Sequence, residues 1–354
     1  MGVNPDMLRA LRIQSEVCRE FGSPFNGVMC ARAAEDVEAG GLSADLLAAW
    51  ASADVRRIIA DAAPIRLINA FHHLALSGEA PELTAAYPHP DRPIDAEAAW
   101  RAARAAIGRH RAHLEAFMTH EPQTNEVRRS ICLLGGFLTV AKDTGLPLRT
   151  FEIAASAGLN LSWDRYGYGM GAAAWGDPDS PVQLDTDWSG GLPPLDARVQ
   201  VMARAACDRR PNDVADPAQR QRLIACIWPD QFERLTRIRA AIGLALDGGV
   251  KVTAADAVDW TRACVKPQLG AATVLYHSVF WQYMPADSQT ALAGTIETIG
   301  AQATAEAPFV WLRMEPPPSN MAIMQVRLTL WPGGEERLLA EVHPHGVHVR
   351  WLDG

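Results

Sequence analysis

The sequence has 354 residues, of which 48% are hydrophobic and 21% are charged. This composition is typical of a folded globular protein and excludes an intrinsically disordered chain. Because a single hydrophobic core stops growing at about 250–300 residues, the length predicts two lobes or one domain with large insertions. The net charge of -8 and the lack of a long basic run argue against a general nucleic-acid-binding surface.

The sequence also lacks the patterns of secreted, membrane-spanning and zinc-binding proteins. Its first residues contain no basic segment followed by an apolar one, so we predict no signal peptide. The longest uncharged stretch, between Lys266 and Asp287, contains Pro267 and Pro285 and is typical of a buried strand with its flanks. The six cysteines form no Cys-X-X-Cys pair, which argues against a zinc site. We therefore expect a cytoplasmic protein without a metal or a membrane partner.

Residues 1–120 carry apolar side chains at helical spacing and no strand-like run. Pro64 opens one strongly apolar helical segment, and Asp95 is placed to cap a further helix that runs to about His120. The sequence therefore predicts an all-α N-terminal lobe over residues 1–120.

Residues 121–354 alternate strands with helices. Strand-like runs occur near 148–156, 198–203, 250–254, 272–279 and 308–313. Helical patterns occur from about Thr124 to Lys142 and near 217–247 and 287–304. Such alternation predicts a mostly parallel sheet with helices on both faces. Three closely spaced runs near 324–331, 338–342 and 347–351 then predict antiparallel strands at the end of the sheet.

Residues 163–197 do not fit this alternation. Five large aromatic residues are interleaved there with glycines, namely Trp163, Tyr166, Tyr168, Trp175 and Trp188. One interpretation is an ordered insertion that contains a small hairpin. The other is a lid or substrate wall near the end of the first strand.

The loop after the first strand is the first place to look for a ligand, because open α/β sheets bind ligands at the carboxyl ends of their strands. The loop reads Glu152-Ile-Ala-Ala-Ser-Ala-Gly158. Its small residues let a ligand approach the backbone, and a helix start offers free N–H groups. The acid at its entry disfavours a pyrophosphate and suits a cationic ligand such as S-adenosylmethionine. The alternative is an ordinary tight turn between a strand and a helix.

From about residue 121 onward the sequence resembles the class I S-adenosylmethionine-dependent methyltransferases, which implies a Rossmann-like sheet with antiparallel C-terminal strands. The loop 152–158, the acids after later strands and the closing strands carry this resemblance. More specifically, the chain resembles a bacterial family catalogued as a domain of unknown function. The matching segments are Gln123-Thr-Asn-Glu126, Glu152-Ile-Ala-Ala-Ser-Ala-Gly-Leu-Asn160, Asp164-Arg-Tyr-Gly-Tyr168, Cys207-Asp208, Trp228-Pro-Asp-Gln231, Tyr276-His-Ser278 and His345-Gly346.

The methyltransferase resemblance implies that S-adenosylmethionine, the suspected cofactor, lies over the loop. The loop residues that it implies as contacts are Glu152, Ala154, Ser156, Gly158 and Asn160. It also implies an acid for the ribose hydroxyls, with Asp208 as the candidate and Asp213 as its rival. Asp256 and the N–H of Ala257 would then bind the adenine. The alternatives for these acids are a turn for Asp208 and a helix N-cap for Asp256.

Four further residues complete the predicted site. Asn125 and Arg129 are candidates to hold the amino-acid carboxylate of the cofactor, and the alternative is a capped helix start. His277 lies where the fourth strand should end and could act as a general base, because histidine titrates near neutral pH. The alternative for His277 is a buried core histidine with satisfied nitrogens. Tyr283, the second predicted catalytic residue, would border the substrate cavity.

The sequence thus predicts a methyltransferase-like protein that acts on a small-molecule substrate, with catalysis mainly by positioning. The alternative is a non-catalytic protein of the same fold that binds an adenosyl ligand or serves as a scaffold, since the sequence contains no obvious catalytic motif. A nicotinamide oxidoreductase is a third interpretation, disfavoured by the acid at the loop.

Overall fold

The computed structural model describes residues 3–123, 125–317, 320 and 323–353, and the chain forms two compact units. The first comprises Met1–Thr124 and Asp216–Thr236, and the second comprises Asn125–Ala215 and Arg237–Gly354. The helices are α1 (Pro5–Glu20), α2 (Pro24–Glu38), α3 (Leu42–Leu46), α4 (Val55–Ala60), α5 (Ala63–Ser77), α6 (Pro81–Ala86), α7 (Ala96–Arg109), α8 (Arg111–Met118), α9 (Arg129–Thr144), α10 (Pro217–Ala225), α11 (Phe232–Asp247), α12 (Ala257–Cys264) and α13 (Ala286–Gly300). The strands are β1 (Leu148–Ile153), β2 (Gly167–Met170), β3 (Ala173–Gly176), β4 (Gln183–Gly190), β5 (Val201–Asp208), β6 (Thr253–Ala254), β7 (Ala272–Ser278), β8 (Phe309–Glu315), β9 (Met324–Trp331), β10 (Glu335–Val342) and β11 (His348–Trp351).

The first unit is built from α1 to α8, α10 and the start of α11, with no strand among its described residues. Its helices begin at capping side chains. Asn4 Oδ1 accepts a first-turn N–H of α1 over 3.0 Å, and Ser23 Oγ accepts one of α2 over 3.3 Å. The middle helix of the core is α5, whose Leu67, Phe71 and Leu74 are wholly buried. These side chains of α5 form part of the hydrophobic core that the helices of the first unit share.

One segment of the first unit comes from beyond the boundary that the sequence suggested. The sequence placed all of residues 121–354 in the α/β domain, whereas Asp216–Thr236 packs with the helices. There α10 buries Leu223 and Ala225, and the Ala225 carbonyl oxygen lies 3.1 Å from Nδ1 of His72. Since these contacts join residues about 150 positions apart, no local pattern predicts them.

The Trp228-Pro-Asp-Gln231 segment separates α10 from α11, as its proline requires. Asp230 accepts the hydroxyl of Ser23 over 2.6 Å and the N–H of Phe25 over 3.1 Å. The Gln231 side chain donates to the Phe21 carbonyl over 2.8 Å. The segment therefore fixes the start of α2 within the first unit.

The second unit contains an eleven-stranded sheet among its described residues, in the order β3-β2-β4-β11-β10-β9-β8-β7-β1-β5-β6. Five neighbouring strands, β6, β5, β1, β7 and β8, run parallel, and β8 to β11 then form an antiparallel meander. This confirms the predicted mixed α/β architecture with a mostly parallel central sheet. Ile153 lies opposite Cys207, so β1 and β5 end at nearly the same level.

The insertion at 163–197 is an ordered extension of this sheet. Its β2 and β3 form a hairpin, and β4 runs parallel to both β2 and β11. Trp163 is wholly buried and stacks on Phe137 with ring centroids 4.0 Å apart. The Tyr168 hydroxyl donates to the Trp163 carbonyl over 2.6 Å. The insertion thus corresponds to the first of its two interpretations, an ordered segment with a hairpin.

Helix α9 covers one face of β7 to β10. A Cβ atom at Gly136 would overlap the side chain of Leu312, so the helix lies closer to the sheet than a larger residue allows. The helix begins at Arg129, later than the sequence pattern suggested. Thr124, the predicted start, lies outside the described residues. The late start leaves residues 125–128 as an irregular segment before α9.

Candidate functional site

The strand order creates a switch point between β1 and β7. Apart from β2 to β4, which lie at the other edge of the sheet, the strands after β1 add outward as β5 and β6, and the chain then crosses to the other side of β1 and adds β7 and β8. The strand order therefore reverses between β1 and β7. Such a point is where open α/β sheets bind their ligands.

The loop after β1 has an unusual backbone. Ala154, Ser156 and Gly158 have φ values of 56°, 54° and 70°, all in the left-handed region that side chains disfavour. Gly158 is needed for a second reason, because a Cβ there would lie 2.8 Å from Val252 Cγ2. Strained residues persist where the surrounding structure fixes them, and they are concentrated at binding sites.

Asp208, the last residue of β5, fixes this loop. Its Oδ2 accepts the N–H of Ser156 over 2.8 Å, and its Oδ1 accepts that of Arg210 over 2.8 Å. An ionised carboxylate has about four lone-pair sites, so two hydroxyls of a ligand can still be accepted. The rival acid, Asp213, accepts the N–H of Ala215 over 2.9 Å in a local turn. Of these two acids, Asp208 is therefore the one that lies at the carboxyl edge of the sheet.

The side-chain hydroxyl of Ser156 is buried at the same place. The residue is 8% exposed, and its Oγ has no hydrogen-bond partner among the described residues. Buried hydroxyls are normally paired, because an unpaired one costs about 1–3 kcal/mol. The unpaired hydroxyl of Ser156 therefore adds a free-energy cost to that of its strained backbone.

Glu152 lies at the end of β1 and is only 3% exposed. Burial raises its pKa to about 8, although the Tyr276 hydroxyl, 3.3 Å from Oε2, opposes this shift. The same hydroxyl lies 3.3 Å from the carbonyl oxygen of Asn160. A protonated Glu152 can donate to Tyr276, which then donates to Asn160. With a pKa of about 8, the acid at the entry of the loop is mostly protonated at pH 7.

Asp256 is exposed at the start of α12, next to β6. Its Oδ1 accepts the N–H groups of Val258 and Asp259 over 2.9 and 3.4 Å, so the residue is the helix N-cap. Oδ2 of Asp256 takes no part in this cap. The N–H of Ala255 donates to the Asp208 carbonyl over 3.0 Å, which places Asp256 beside the end of β5. Ala257 is the first residue of α12 and is buried.

Asn125 and Asn160 join the segment before α9 to the loop. Asn125 Oδ1 accepts the N–H of Leu159 over 3.1 Å. Asn160 Oδ1 accepts the Ser130 hydroxyl over 2.8 Å, and its Nδ2 donates to the Glu126 carbonyl over 3.4 Å. Both side chains are buried. Their contacts position the loop, so they lie close to the site without facing an open cleft.

Arg129, the first residue of α9, reaches toward β7. Its Nε donates to the Pro344 carbonyl over 3.1 Å, and Nη1 lies 3.5 Å from the Ser278 carbonyl. Burial lowers the pKa of the guanidinium, while the carboxylates of Glu126 and Glu315 raise it. Arg129 is therefore a half-buried cation at the carboxyl edge of the sheet.

His277 of β7 is wholly buried, and both ring nitrogens are occupied. Nδ1 lies 2.7 Å from Glu315 Oε1, and Nε2 accepts the indole N–H of Trp311 over 3.0 Å. Since the indole can only donate, the proton of the neutral ring is on Nδ1. This arrangement matches the alternative interpretation of a satisfied core histidine. A base role would require one of the two hydrogen bonds to open.

The segment after β7 is a second strained region. Val279 has a φ of 51°, which is rare for a β-branched residue. The carboxylate of Glu315 holds the next residue by accepting the N–H of Phe280 over 2.9 Å. Trp281 then stacks on His277 at 5.8 Å, and Tyr283 is 73% exposed. Residues 279–284 thus form a largely aromatic segment at the carboxyl edge of the sheet, which we call the aromatic wall.

Sequence reasoning missed Glu315 and Tyr276. Tyr276 lies two residues before the end of β7, and Glu315 is the last residue of β8. The rule that singled out Asp208 and Asp256, an acid after a strand, would have found Glu315. Tyr276 lies in a segment that matches the bacterial family, but its residue type indicated no role in the site, because an aromatic residue in a buried strand is normal.

Two further observations concern metal-binding groups and membrane-spanning helices. Over the residues that the structure describes, no group of three or more His, Cys, Asp or Glu side chains is arranged to hold a metal ion. Within the same residues, no helix has the length and apolarity needed to cross a bilayer.

The comparisons with known proteins give one family. The chain matches no curated protein and no solved structure. A family model described as an uncharacterized protein conserved in bacteria, DUF2332, matches residues 9–351. Because this match spans both units, the chain belongs to the DUF2332 family of bacterial proteins.

Proposed function

We propose that the chain binds S-adenosylmethionine over the loop after β1 and transfers its methyl group to a small-molecule acceptor. The observation that carries this proposal is the set of acids around the switch point. Glu152, Asp208 and Asp256 lie at or just after the carboxyl ends of β1, β5 and β6. Acids at these positions suit a cationic ligand with two ribose hydroxyls and an adenine amino group.

The sheet supports the proposal at the level of the fold. The order β6-β5-β1-β7-β8 corresponds to third, second, first, fourth and fifth strands, which is the order of Rossmann-like sheets. Ala154, Ser156 and Gly158 allow the ligand to lie close to the backbone of the loop, as their small side chains permit. The strand order supports only the fold part of the proposal, whereas the argument for the ligand rests on the acids at the strand ends.

In this proposal the residues of the chain act mainly by positioning. Asp208 accepts the ribose hydroxyls and Asp256 accepts the adenine amino group, with the N–H of Ala257 beside it. Asn125 and Asn160 hold the loop in place. His277 positions the aromatic wall, and Tyr283 borders the acceptor.

Calorimetric titration with S-adenosylmethionine and S-adenosylhomocysteine tests the proposal. In Asp256→Asn the amide oxygen keeps the cap of α12, but the amide N–H₂ faces the adenine amino group. We expect the affinity to fall about tenfold, equivalent to about 1.4 kcal/mol. Asp95→Asn changes the N-cap of α7 and is the matched control. No binding by the wild type, or equal binding by Asp256→Asn, would contradict the proposal.

A binding protein without catalysis is the second candidate, and the geometry of His277 favours it. Both nitrogens of that ring are occupied, so the site has no histidine base ready for a proton. Methyl transfer from radiolabelled S-adenosylmethionine to a pool of small molecules separates the two candidates. Turnover above the level of a heat-denatured sample excludes the second candidate, and ligand binding without turnover favours it.

A further inference from the structure

The guanidinium of Arg129 has two neutral partners and no close ion pair. Its hydrogen bonds go to the carbonyls of Pro344 and Ser278 over 3.1 and 3.5 Å. No carboxylate lies within 4.0 Å of it in the part of the chain that the structure describes. The carboxylates of Glu126 and Glu315 lie instead beside the rings of His345 and His277. A half-buried cation that no carboxylate contacts directly can form a charge-assisted pair with an anionic ligand.

The two nearby carboxylates keep Arg129 charged without occupying it. Glu126 accepts the N–H of Arg128 over 3.2 Å, and its other oxygen lies 3.6 Å from His345 Nδ1. Glu315 accepts from Phe280 and from the His277 ring. Each carboxylate therefore has its own hydrogen-bond partners. Neither carboxylate therefore forms a direct pair with Arg129.

The geometry of the guanidinium selects the kind of anion. Arginine has five N–H donors, and two of those on Arg129 are used by carbonyls. The remaining donors lie on the two terminal nitrogens, which form a planar fork. Such a fork matches the two oxygens of a carboxylate in a bidentate pair.

The surroundings of Arg129 indicate which molecule carries the carboxylate. Ser278 is the last residue of β7, and Pro344 follows β10, so both partners lie on the side of the switch point away from β5 and β6. The Ser278 carbonyl that Nη1 of Arg129 contacts directly precedes the aromatic wall of residues 279–284. Arg129 therefore lies at the start of this wall, whereas Asp208 and Asp256 lie beyond β1, at the ends of β5 and β6.

We propose that Arg129 binds the carboxylate of the acceptor, and that the acceptor is a small carboxylic acid with an aromatic or apolar body. The assignment of an acceptor rests on the proposed methyltransferase function. It differs from the role of Arg129 that the methyltransferase resemblance implies, since the carboxylate of the cofactor would then be held elsewhere. The anion subsite itself rests only on the contacts of Arg129.

Paired ligands test this subsite. Benzoate and phenylacetate are titrated beside their neutral amides, benzamide and phenylacetamide, in the presence of S-adenosylhomocysteine, with binding measured by saturation-transfer NMR and calorimetry. We expect the wild type to bind the acids and not the amides. Arg129→Gln should bind the acids at least about tenfold more weakly, because a bidentate charged pair is lost. Its affinity for S-adenosylhomocysteine should stay within about twofold.

Two control variants guard against indirect effects. Arg129→Lys keeps the charge but not the fork, and its affinity for the acids should lie between those of the wild type and Arg129→Gln. Arg262→Gln removes an exposed arginine of α12 that pairs with Asp259, and it should bind like the wild type. Circular dichroism confirms that each variant is folded before it is titrated.

Three results would overturn the subsite. The first is that the wild type binds none of the acids, and the second is that Arg129→Gln binds them as well as the wild type does. The third is a tenfold loss of S-adenosylhomocysteine affinity in Arg129→Gln with acid binding unchanged, which would assign Arg129 to the cofactor carboxylate. If the wild type fails to bind S-adenosylhomocysteine but binds the acids through Arg129, the methyltransferase proposal fails while the anion subsite stands.

Discussion

The N–H of Ser156 donates to Oδ2 of Asp208 over 2.8 Å and joins the loop after β1 to the end of β5. The other oxygen of the same carboxylate accepts the N–H of Arg210. One side chain thus holds two backbone segments that meet at the carboxyl edge of the sheet. The strained conformation of Ser156 is held in part by this hydrogen bond.

Replacement of Asp208 should loosen the loop. In Asp208→Ala two backbone N–H groups lose their acceptor, and we expect the free energy of unfolding to fall by about 1–3 kcal/mol. Urea denaturation measures this change. Asp177→Ala, which removes the acceptor of the local N–H of Asp179, is the control and should cost less. Equal losses for the two variants would contradict the role of Asp208 as a clamp.

Replacement of Ala154 by glycine tests the strain in the loop. Ala154 has a φ of 56°, so Ala154→Gly relieves a left-handed alanine that costs about 1–2 kcal/mol. We expect this variant to be as stable as the wild type or more stable by up to about 1 kcal/mol. Ala155→Gly, one residue on and without a positive φ, should lose about 0.5–1 kcal/mol. A larger loss for Ala154→Gly than for Ala155→Gly would show that the strain is absent.

The pKa of Glu152 makes the stability of the protein depend on pH. The pKa is about 8 in the folded state and 4.5 in its ordinary range, so the folded state binds the proton more tightly. The resulting stabilisation is complete below about pH 4.5 and is lost as the pH rises through about 8. Glu152→Gln carries no titrating acid and cannot lose this stabilisation. Its free energy of unfolding relative to that of the wild type should therefore increase by up to about 1.4 kcal/mol per pH unit.

Urea denaturation of the wild type and Glu152→Gln from about pH 5 to about pH 8 measures this effect. Glu335→Gln, on the exposed start of β10, is the control and should show no trend. A constant difference between the wild type and Glu152→Gln across this range would mean that Glu152 is not protonated in the folded protein.

The same residue should release a proton when a cation binds. A positive ligand beside Glu152 favours the carboxylate, and because the free site is largely protonated at pH 7, up to about one proton leaves per ligand. Calorimetry with S-adenosylmethionine in phosphate and in Tris buffer detects this release as a buffer-dependent enthalpy. The dependence should vanish in Glu152→Gln. An enthalpy that is the same in both buffers would place the ligand charge away from Glu152.

Glu315 and His277 should be energetically coupled. Glu315 is the acceptor of the His277 ring and of the Phe280 N–H, so Glu315→Gln should destabilise the protein by about 1–3 kcal/mol. A double-mutant cycle with His277→Asn should give a coupling energy of at least about 0.5 kcal/mol. A cycle of Glu315→Gln with the exposed His89→Asn should give none. Additive losses in the first cycle would contradict the hydrogen bond.

Sequence periodicity predicted the sheet type but not the exact strands. Alternating strands and helices indicated a parallel sheet, because only crossover connections leave that pattern. The second strand was expected at 198–203 and is found at Val201–Asp208. Its later residues, Ala203 to Cys207, pair with β1 although alanine has little strand propensity. Tertiary pairing decides the extent of such a strand.

The candidate site was predictable only in its outline. The acid and small residues of the loop stand together in the sequence, and so their place at the end of β1 could be inferred. The hydrogen bonds of His277 could not, because its partner Glu315 is 38 residues away. Nor could the burial of Glu152, which depends on Tyr276 from another strand. Residue types indicate what chemistry a site can do, whereas contacts distant in sequence decide which groups are available.

The most direct test of the ligand site is hydrogen–deuterium exchange, measured by mass spectrometry with and without saturating S-adenosylhomocysteine. We expect slower exchange in peptides that cover residues 152–160 and 206–212, because the ligand would lie on these backbone segments and restrict their opening. The helices of the first unit should exchange unchanged and serve as the internal control. Unchanged exchange at 152–160, or protection confined to other segments, would contradict a ligand site over the loop after β1.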